Sequence, residues 1–224
     1  MLIEIAMNSK NQRNDQLLDA LNWRYATKTF DKTKQISAAD WETLMQALRL
    51  APSSFGLQPW KFIEVTSSEI RKKLRQAAWN QPQVEDASKL LVLTAKRTMG
   101  ASDVELWMAE LAAQRKVPVK DLSGYKQMIL GFLSARPGDY SLPEWTARQV
   151  YLALGFLLSS AALVEIDACP MEGFIQSQVD EILQLTGSEF TSIVLCPMGY
   201  RSQEDAQANM PKVRYPLSKI IEVR

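Results

Sequence analysis

The stretch from Ser141 to Val164 constrains this chain more than any other. Ser141 and Glu144 form a capping box, in which the hydroxyl accepts from the amide three residues on and the glutamate reaches back, so a helix starts there. The run that follows, Trp145 to Val164, is apolar nearly all round the helical circumference. A helix of that kind must be wrapped by other elements or by a second copy of the chain. Its most apolar part, Val150 to Val164, is about 15 residues long and contains Ser159 and Ser160, short of the roughly 20 that span a bilayer. The run therefore reads as a long buried helix, suited to the core of a dimer.

Other segments supply what could wrap it. Asp15 to Ala26 places Leu17, Leu18 and Leu21 on one helical face, and Ser37 caps a second helix in which Trp41, Leu44, Met45 and Leu48 recur at i, i+3, i+4, i+7 until Pro52 ends it. Trp60 to Thr66 is a strand, Ser68 to Trp79 a short basic helix, and Leu90 to Ala95 an unbroken apolar strand of the kind found centrally in a sheet. Ser102 with Glu105 reads as a second capping box, and Trp107, Met108 and Met128 take core spacing. Ser177 to Leu185 is a helix closed by Gly187, and Thr191 to Leu195 a second buried strand. No repeat or flexible linker divides the chain, so the expectation is one α+β domain over residues 1–224.

Function is narrowed first by exclusion. The chain has no histidine, which removes Ser-His-Asp and Cys-His nucleophiles, HExxH sites and most catalytic zinc sites together. It has neither a GxxxxGK[ST] loop nor a GxGxxG turn, so any nucleotide must be held by something else. With 26 basic and 25 acidic residues there is no global field to draw nucleic acid or an anionic membrane, and a small-molecule partner fits better. The basic stretch Arg71-Lys72-Lys73 stands without any nucleic-acid motif. The first residues lack the continuous apolar core of a signal peptide, and Cys169 and Cys196 read as reduced, buried thiols. Both features point to the cytoplasm.

Four short segments at element ends carry the positive signal. They are Arg24-Tyr25-Ala26-Thr27-Lys28, Pro52-Ser53-Ser54-Phe55-Gly56-Leu57-Gln58-Pro59-Trp60, Pro170-Met171-Glu172-Gly173-Phe174, and Cys196-Pro197-Met198-Gly199-Tyr200 with Pro211-Lys212-Val213-Arg214 beyond. Each alone is an ordinary turn or solvated surface. As an ordered set, with Trp145 to Leu152 in the long helix, they resemble the nitroreductase family of FMN-dependent NAD(P)H oxidoreductases from Leu17 to Val223.

That resemblance implies an α+β nitroreductase-like fold: a central mixed sheet flanked by helices, a long helix in the core of a homodimer, and a C-terminal extension onto the partner subunit. It implies tightly bound FMN at the dimer interface and NAD(P)H as electron donor. Arg24, Lys212 and Arg214 match the cations at the FMN phosphate, with Tyr25 and Ala26 in the same loop, and three cations would replace the missing glycine loop. Lys28 matches a lysine near flavin N1 and O2, where a fixed cation favours the reduced ring. Asn80 matches an asparagine on the pyrimidine edge, and Gln83 stands where a second lysine often lies. Pro170, Met171, Glu172 and Gly173 match the turn whose amides approach N5 and O4. Pro52, Ser53, Ser54, Phe55 and Gly56 would come from the partner subunit, with Phe55 beside the substrate face. Apart from the resemblance, Phe132, in the Tyr125 to Tyr140 stretch with its Arg136-Pro137-Gly138-Asp139 turn, is a candidate to line the substrate pocket.

Ala26 in place of a serine, Gln83 in place of a lysine and Phe55-Gly56 in place of a more polar pair depart from better-known members. The implied chemistry is ping-pong: hydride passes from the nicotinamide to flavin N5 and on to a flat acceptor such as a nitroaromatic, a quinone or another flavin. Protons come from water, so no residue need be a general acid. A non-catalytic protein that stores FMN or senses redox state is the alternative within the same fold.

Overall fold

The computed structural model describes residues 2–135 and 140–224, with side chains from residue 12 onward. The turn Arg136-Pro137-Gly138-Asp139 lies outside the described residues. The helices are α1 (Leu2–Trp23), α2 (Ala38–Arg49), α3 (Ser68–Ala77), α4 (Gln83–Asp86), α5 (Ala101–Arg115), α6 (Ser123–Ala135), α7 (Leu142–Leu163), α8 (Gln176–Ile182) and α9 (Leu217–Ile220). The strands are β1 (Trp60–Glu64), β2 (Lys89–Lys96), β3 (Asp167–Ala168) and β4 (Phe190–Gly199). They form one sheet in the order β1-β2-β4-β3, so the apolar run at Leu90 is internal, as its composition predicts.

The mixed sheet is corrected. Every pair of named strands is antiparallel, and the parallel bridge between Ala26 and Ala168 stands outside them. The links explain it: α3 and α4 return the chain from β1 so that β2 runs back beside it.

Strand alternation sends side chains to two cores. Leu91, Leu93, Ala95, Val194, Cys196 and Met198 pack with Trp41, Leu44 and Leu48 of α2 and Val150, Leu154 and Leu157 of α7. Leu90, Val92 and Leu195 face the other way, onto Leu74 of α3 and Val179 of α8. A third cluster lies to one side, where α5 and α6 close on Leu57 and Trp145.

The helix starts show how local chemistry decides. At α7 the Ser141 amide donates to Glu144 Oε2 at 2.5 Å and the Glu144 amide to Ser141 Oγ at 3.4 Å, the predicted box. At α5 the box shifts by two residues: the Gly100 amide donates to Asp103 Oδ2 at 2.9 Å, and Ser102 lies inside the first turn. Met128 is corrected as well, being 52% exposed on the outer side of α6, while Trp41 and Met108 are buried. Arg71 is not a free cation: its guanidinium donates to the carbonyls of Val65, Ala87 and Ser88.

The long helix is wrapped by α2 and the sheet, but one stripe stays open. Tyr151, Leu152, Phe156 and Leu163 are exposed along it, beside exposed Leu17, Leu18 and Leu21 of α1. None of the described helices is long and apolar enough to cross a membrane.

Candidate functional site

The loop after α1 and the segment after β4 meet around a cleft of about 330 Å³, lined by Arg24, Tyr25, Ala26, Lys212 and Arg214 among others. Among the described residues no carboxylate pairs with any of its three cations. The Lys212 ammonium donates to the carbonyls of Arg24 and, at 2.6 Å, Leu21, and the Arg214 guanidinium only to the Val213 carbonyl at 2.6 Å. Burial and then the Arg214 guanidinium push Arg24 below its ordinary pKa. Burial, Arg24, Arg214 and Arg201 push Lys212 down. Cations that hold one another's protons less tightly are stabilised by an anion placed between them, and a phosphate has the charge and the acceptors for it. The cluster therefore fits the group that the sequence reading assigns to it.

Two buried carboxylates hold this loop, and sequence reasoning missed both. Asp205, 2% exposed, accepts from the amides of Lys28 (2.8 Å), Thr29 (3.0 Å) and Gln207 (3.0 Å) and from the Tyr25 hydroxyl (3.0 Å). Burial opposes its charge, but these donors hold its carboxyl below the ordinary range. Asp167 accepts from Arg201 through Nε and Nη2, at 2.6 Å for the shortest contact, and from the Thr27 hydroxyl at 3.2 Å. The Arg201 guanidinium stacks on Trp23 and Tyr25 at 4.0 and 4.6 Å. Tyr25 thus supports the cleft with its ring and hydroxyl, and burial with the Asp205 contact pushes its pKa up to about 12.

Lys28 lies beyond the cleft on the same loop, its ammonium 4.0 Å from Cys169 Sγ. Cys169 starts the next segment, where Pro170 leads into Met171, which is bridged to Leu195 by hydrogen bonds of 2.8 and 3.0 Å. That bridge fixes the turn that follows. Among the described residues neither the Glu172 nor the Gly173 amide donates to a protein acceptor, so the turn offers two N–H groups. The Glu172 side chain is drawn aside by the Tyr151 hydroxyl at 2.6 Å, and burial and that carboxylate raise Tyr151 to about 12.

The residues flanking Asn80 reach the same turn. Trp79 and Asn80 take left-handed backbone angles, φ 54 and 58, after α3, and Gln81 Nε2 donates to the Gly173 carbonyl at 2.9 Å. A Cβ on Gly173 would lie 2.9 Å from Trp79 Cζ3, so a larger residue there would have to displace the Trp79 ring. Gln83 is 4% exposed and its Oε1 has no partner among the described residues, whereas the resemblance implies an open flavin edge. Leaving such a carbonyl unpaired costs about 1–3 kcal/mol.

The Pro52 to Gly56 loop lies elsewhere. The Ser54 amide donates to Gln149 Oε1 at 2.9 Å, the Tyr125 hydroxyl to the Phe55 carbonyl at 3.0 Å, and the Gln58 amide to Ser53 Oγ at 2.9 Å. Phe55 sits at φ 55, edge-on to Phe132 with centroids 5.0 Å apart, and Gly56 at φ 72 lies against Trp107. Gln149 and Tyr151 point about 200° apart on an α-helix, so α7 separates this loop from the Glu172 turn within one chain. Pro52, Ser53, Ser54, Phe55, Gly56 and Phe132 therefore lie on the Gln149 side of α7, away from the Glu172 turn.

Comparison with known proteins bears on the family and the fold. The family model described as the nitroreductase family matches residues 21–200. A Staphylococcus saprophyticus protein named "Putative NAD(P)H nitroreductase" is 36% identical over 220 residues, 94% of this chain and 98% of that one. The chain superimposes on a nitroreductase-like protein of Streptococcus mutans with a TM-score of 0.81 at 20% identity, covering 95% and 99% of the two chains. A protein of Exiguobacterium sibiricum solved in complex with FMN gives 0.75 at 19% identity, covering 93% and 97%.

Proposed function

The chain belongs to the nitroreductase family, and from that premise we propose that it is an FMN-dependent oxidoreductase using NADH or NADPH to reduce nitroaromatics, quinones or flavins. One observation carries the proposal: Arg24, Lys212 and Arg214 gather around one cleft with no carboxylate to neutralise them among the described residues. FMN, when bound, supplies a group that accepts a hydride from the reduced nicotinamide and passes it to the acceptor in a ping-pong cycle.

The chain's own residues bind and orient it. The three cations hold the phosphate, Lys28 sets a fixed positive charge at the pyrimidine edge, and the free amides of Glu172 and Gly173 donate beside the reacting edge. Asn80 and Gln83 approach the pyrimidine ring, and Ala26 leaves the phosphate one hydroxyl donor fewer. Phe55 and Phe132 shape the acceptor face. Residues 1–224 act as one FMN-binding domain in a cytoplasmic homodimer. Supporting that dimer are the open apolar stripe on α7 and the exposed Tyr215, Leu217, Ile220, Ile221 and Val223 of the tail. The placement of Pro52, Ser53 and Ser54 across α7 from Glu172 adds to it, since only a second chain can bring those groups to one flavin.

Anaerobic titration of the FMN-loaded protein with NADPH and NADH tests the activity. The flavin absorbance bleaches with one of them and returns on adding a quinone. FMN bound with full absorbance under both donors would leave the storage alternative standing instead.

A further inference from the structure

The cationic cleft draws its residues from two parts of the chain that are remote in sequence: Arg24 from the loop after α1, which carries Lys28 beyond the cleft, and Lys212 and Arg214 from the segment after β4. Something must fix one against the other before a phosphate can use both. Backbone pairing between them is sparse, with the Asp31 amide donating to Tyr200 and the Ser202 amide to Thr29. The Asp205 carboxylate occupies the junction. One of its oxygens takes the amides of Lys28 and Thr29 and the Tyr25 hydroxyl, and the other takes the amide of Gln207.

We infer that Asp205 is the positioning residue of the FMN site, joining the Arg24–Thr29 loop to the segment that carries Lys212 and Arg214 so that the three cations converge on one phosphate. The inference rests on the FMN reading above. Three of the four donors belong to the flavin-facing loop and one to the C-terminal segment, so the contact spans the junction rather than stabilising either side alone. Hydrogen bonds to a buried charge are the stronger kind, and an amide in place of the carboxylate removes the charge and turns one of the two acceptors into a donor among groups that need an acceptor. The change therefore loosens the loop, which Asp167 still holds through Thr27, without removing any group that touches the phosphate.

The test compares FMN with riboflavin, which has the same ring and no phosphate. Apoprotein of wild type, Asp205→Asn and Tyr25→Phe is titrated with each flavin by fluorescence, alongside a thermal unfolding curve. Asp205→Asn lowers FMN affinity at least about tenfold, equivalent to about 1.4 kcal/mol, while riboflavin affinity changes much less. Tyr25→Phe, which removes one donor of the four and keeps the charge, shifts the FMN-to-riboflavin ratio in the same direction by a smaller factor and decides the matter should Asp205→Asn not fold. Loss of both flavins in parallel with lowered thermal stability, or an unchanged ratio, overturns the inference and leaves Asp205 a structural residue. Wild-type protein that prefers riboflavin to FMN would instead overturn the phosphate site itself.

Discussion

Arg214 is exposed and among the described residues donates only to its chain neighbour Val213, so its conformation contributes little to the fold and its truncation reports on the ligand. Arg214→Ala lowers FMN affinity by about tenfold, the lower end of the roughly 1.5–3 kcal/mol for a charge-assisted bond because the group is solvent-exposed. A fluorescence titration showing wild-type affinity would remove Arg214 from the site. Gln83 reports the opposite balance. Its buried, unpaired Oε1 is a cost to the apoprotein, so Gln83→Met, close in volume, raises apoprotein stability by about 1 kcal/mol and weakens FMN binding. Urea unfolding and flavin titration of the same variant check both halves; a variant no more stable than wild type would mean that the carbonyl finds a partner. The cations at 24, 28, 212 and 214 were marked out in the sequence only through the family resemblance of the segments that carry them. Asp167 and Asp205 were not, since each is buried by partners 34 and 177 positions away and no local period marks a carboxylate that the fold will enclose.

At the scale of elements, the two helix starts make a matched pair. Ser141 caps α7 while Ser102 caps nothing, its place taken by the Asp103 carboxylate on Gly100. Ser141→Ala costs about 1 kcal/mol and Ser102→Ala close to none, read from urea midpoints; equal losses would contradict the assigned starts. The serine-glutamate spacing was legible in both places, but at α5 the helix starts two residues earlier, where the Asp103 carboxylate accepts from the Gly100 amide and no serine hydroxyl takes part. In the loop after α1 the titration of Tyr25 is tied to Asp205. Tyr25 ordinarily has a pKa of 10.0 and is raised to about 12 by burial and the Asp205 contact. Its folded form therefore keeps a proton that the unfolded chain has lost, and stability falls as pH rises from 10.0 to about 12. Tyr25→Phe shows a shallower fall across that window in urea midpoints taken at successive pH values. A slope as steep as wild type's would assign the alkaline loss to other groups.

For the whole molecule, the apolar circumference of α7 predicts a helix that one chain cannot fully cover, and the structure leaves Tyr151, Leu152, Phe156 and Leu163 exposed along it. The α+β class was legible from helical and strand periodicity, and the internal strand at Leu90 from its unbroken apolar run. The antiparallel pairing of every named strand was not, because pairing direction is set by how α3 and α4 return the chain rather than by the strands' own residues. The same fold puts the Pro52–Gly56 loop and the Glu172 turn on opposite sides of α7. In the function proposed above, one flavin is held by both groups and hence by two chains. Sedimentation of the FMN-loaded protein over a dilution series, followed by protein and by flavin absorbance, tests it most directly. Flavin absorbance travels with a dimer-sized species and becomes free as that species dissociates; a monomer-sized species that keeps one FMN per chain would contradict the account.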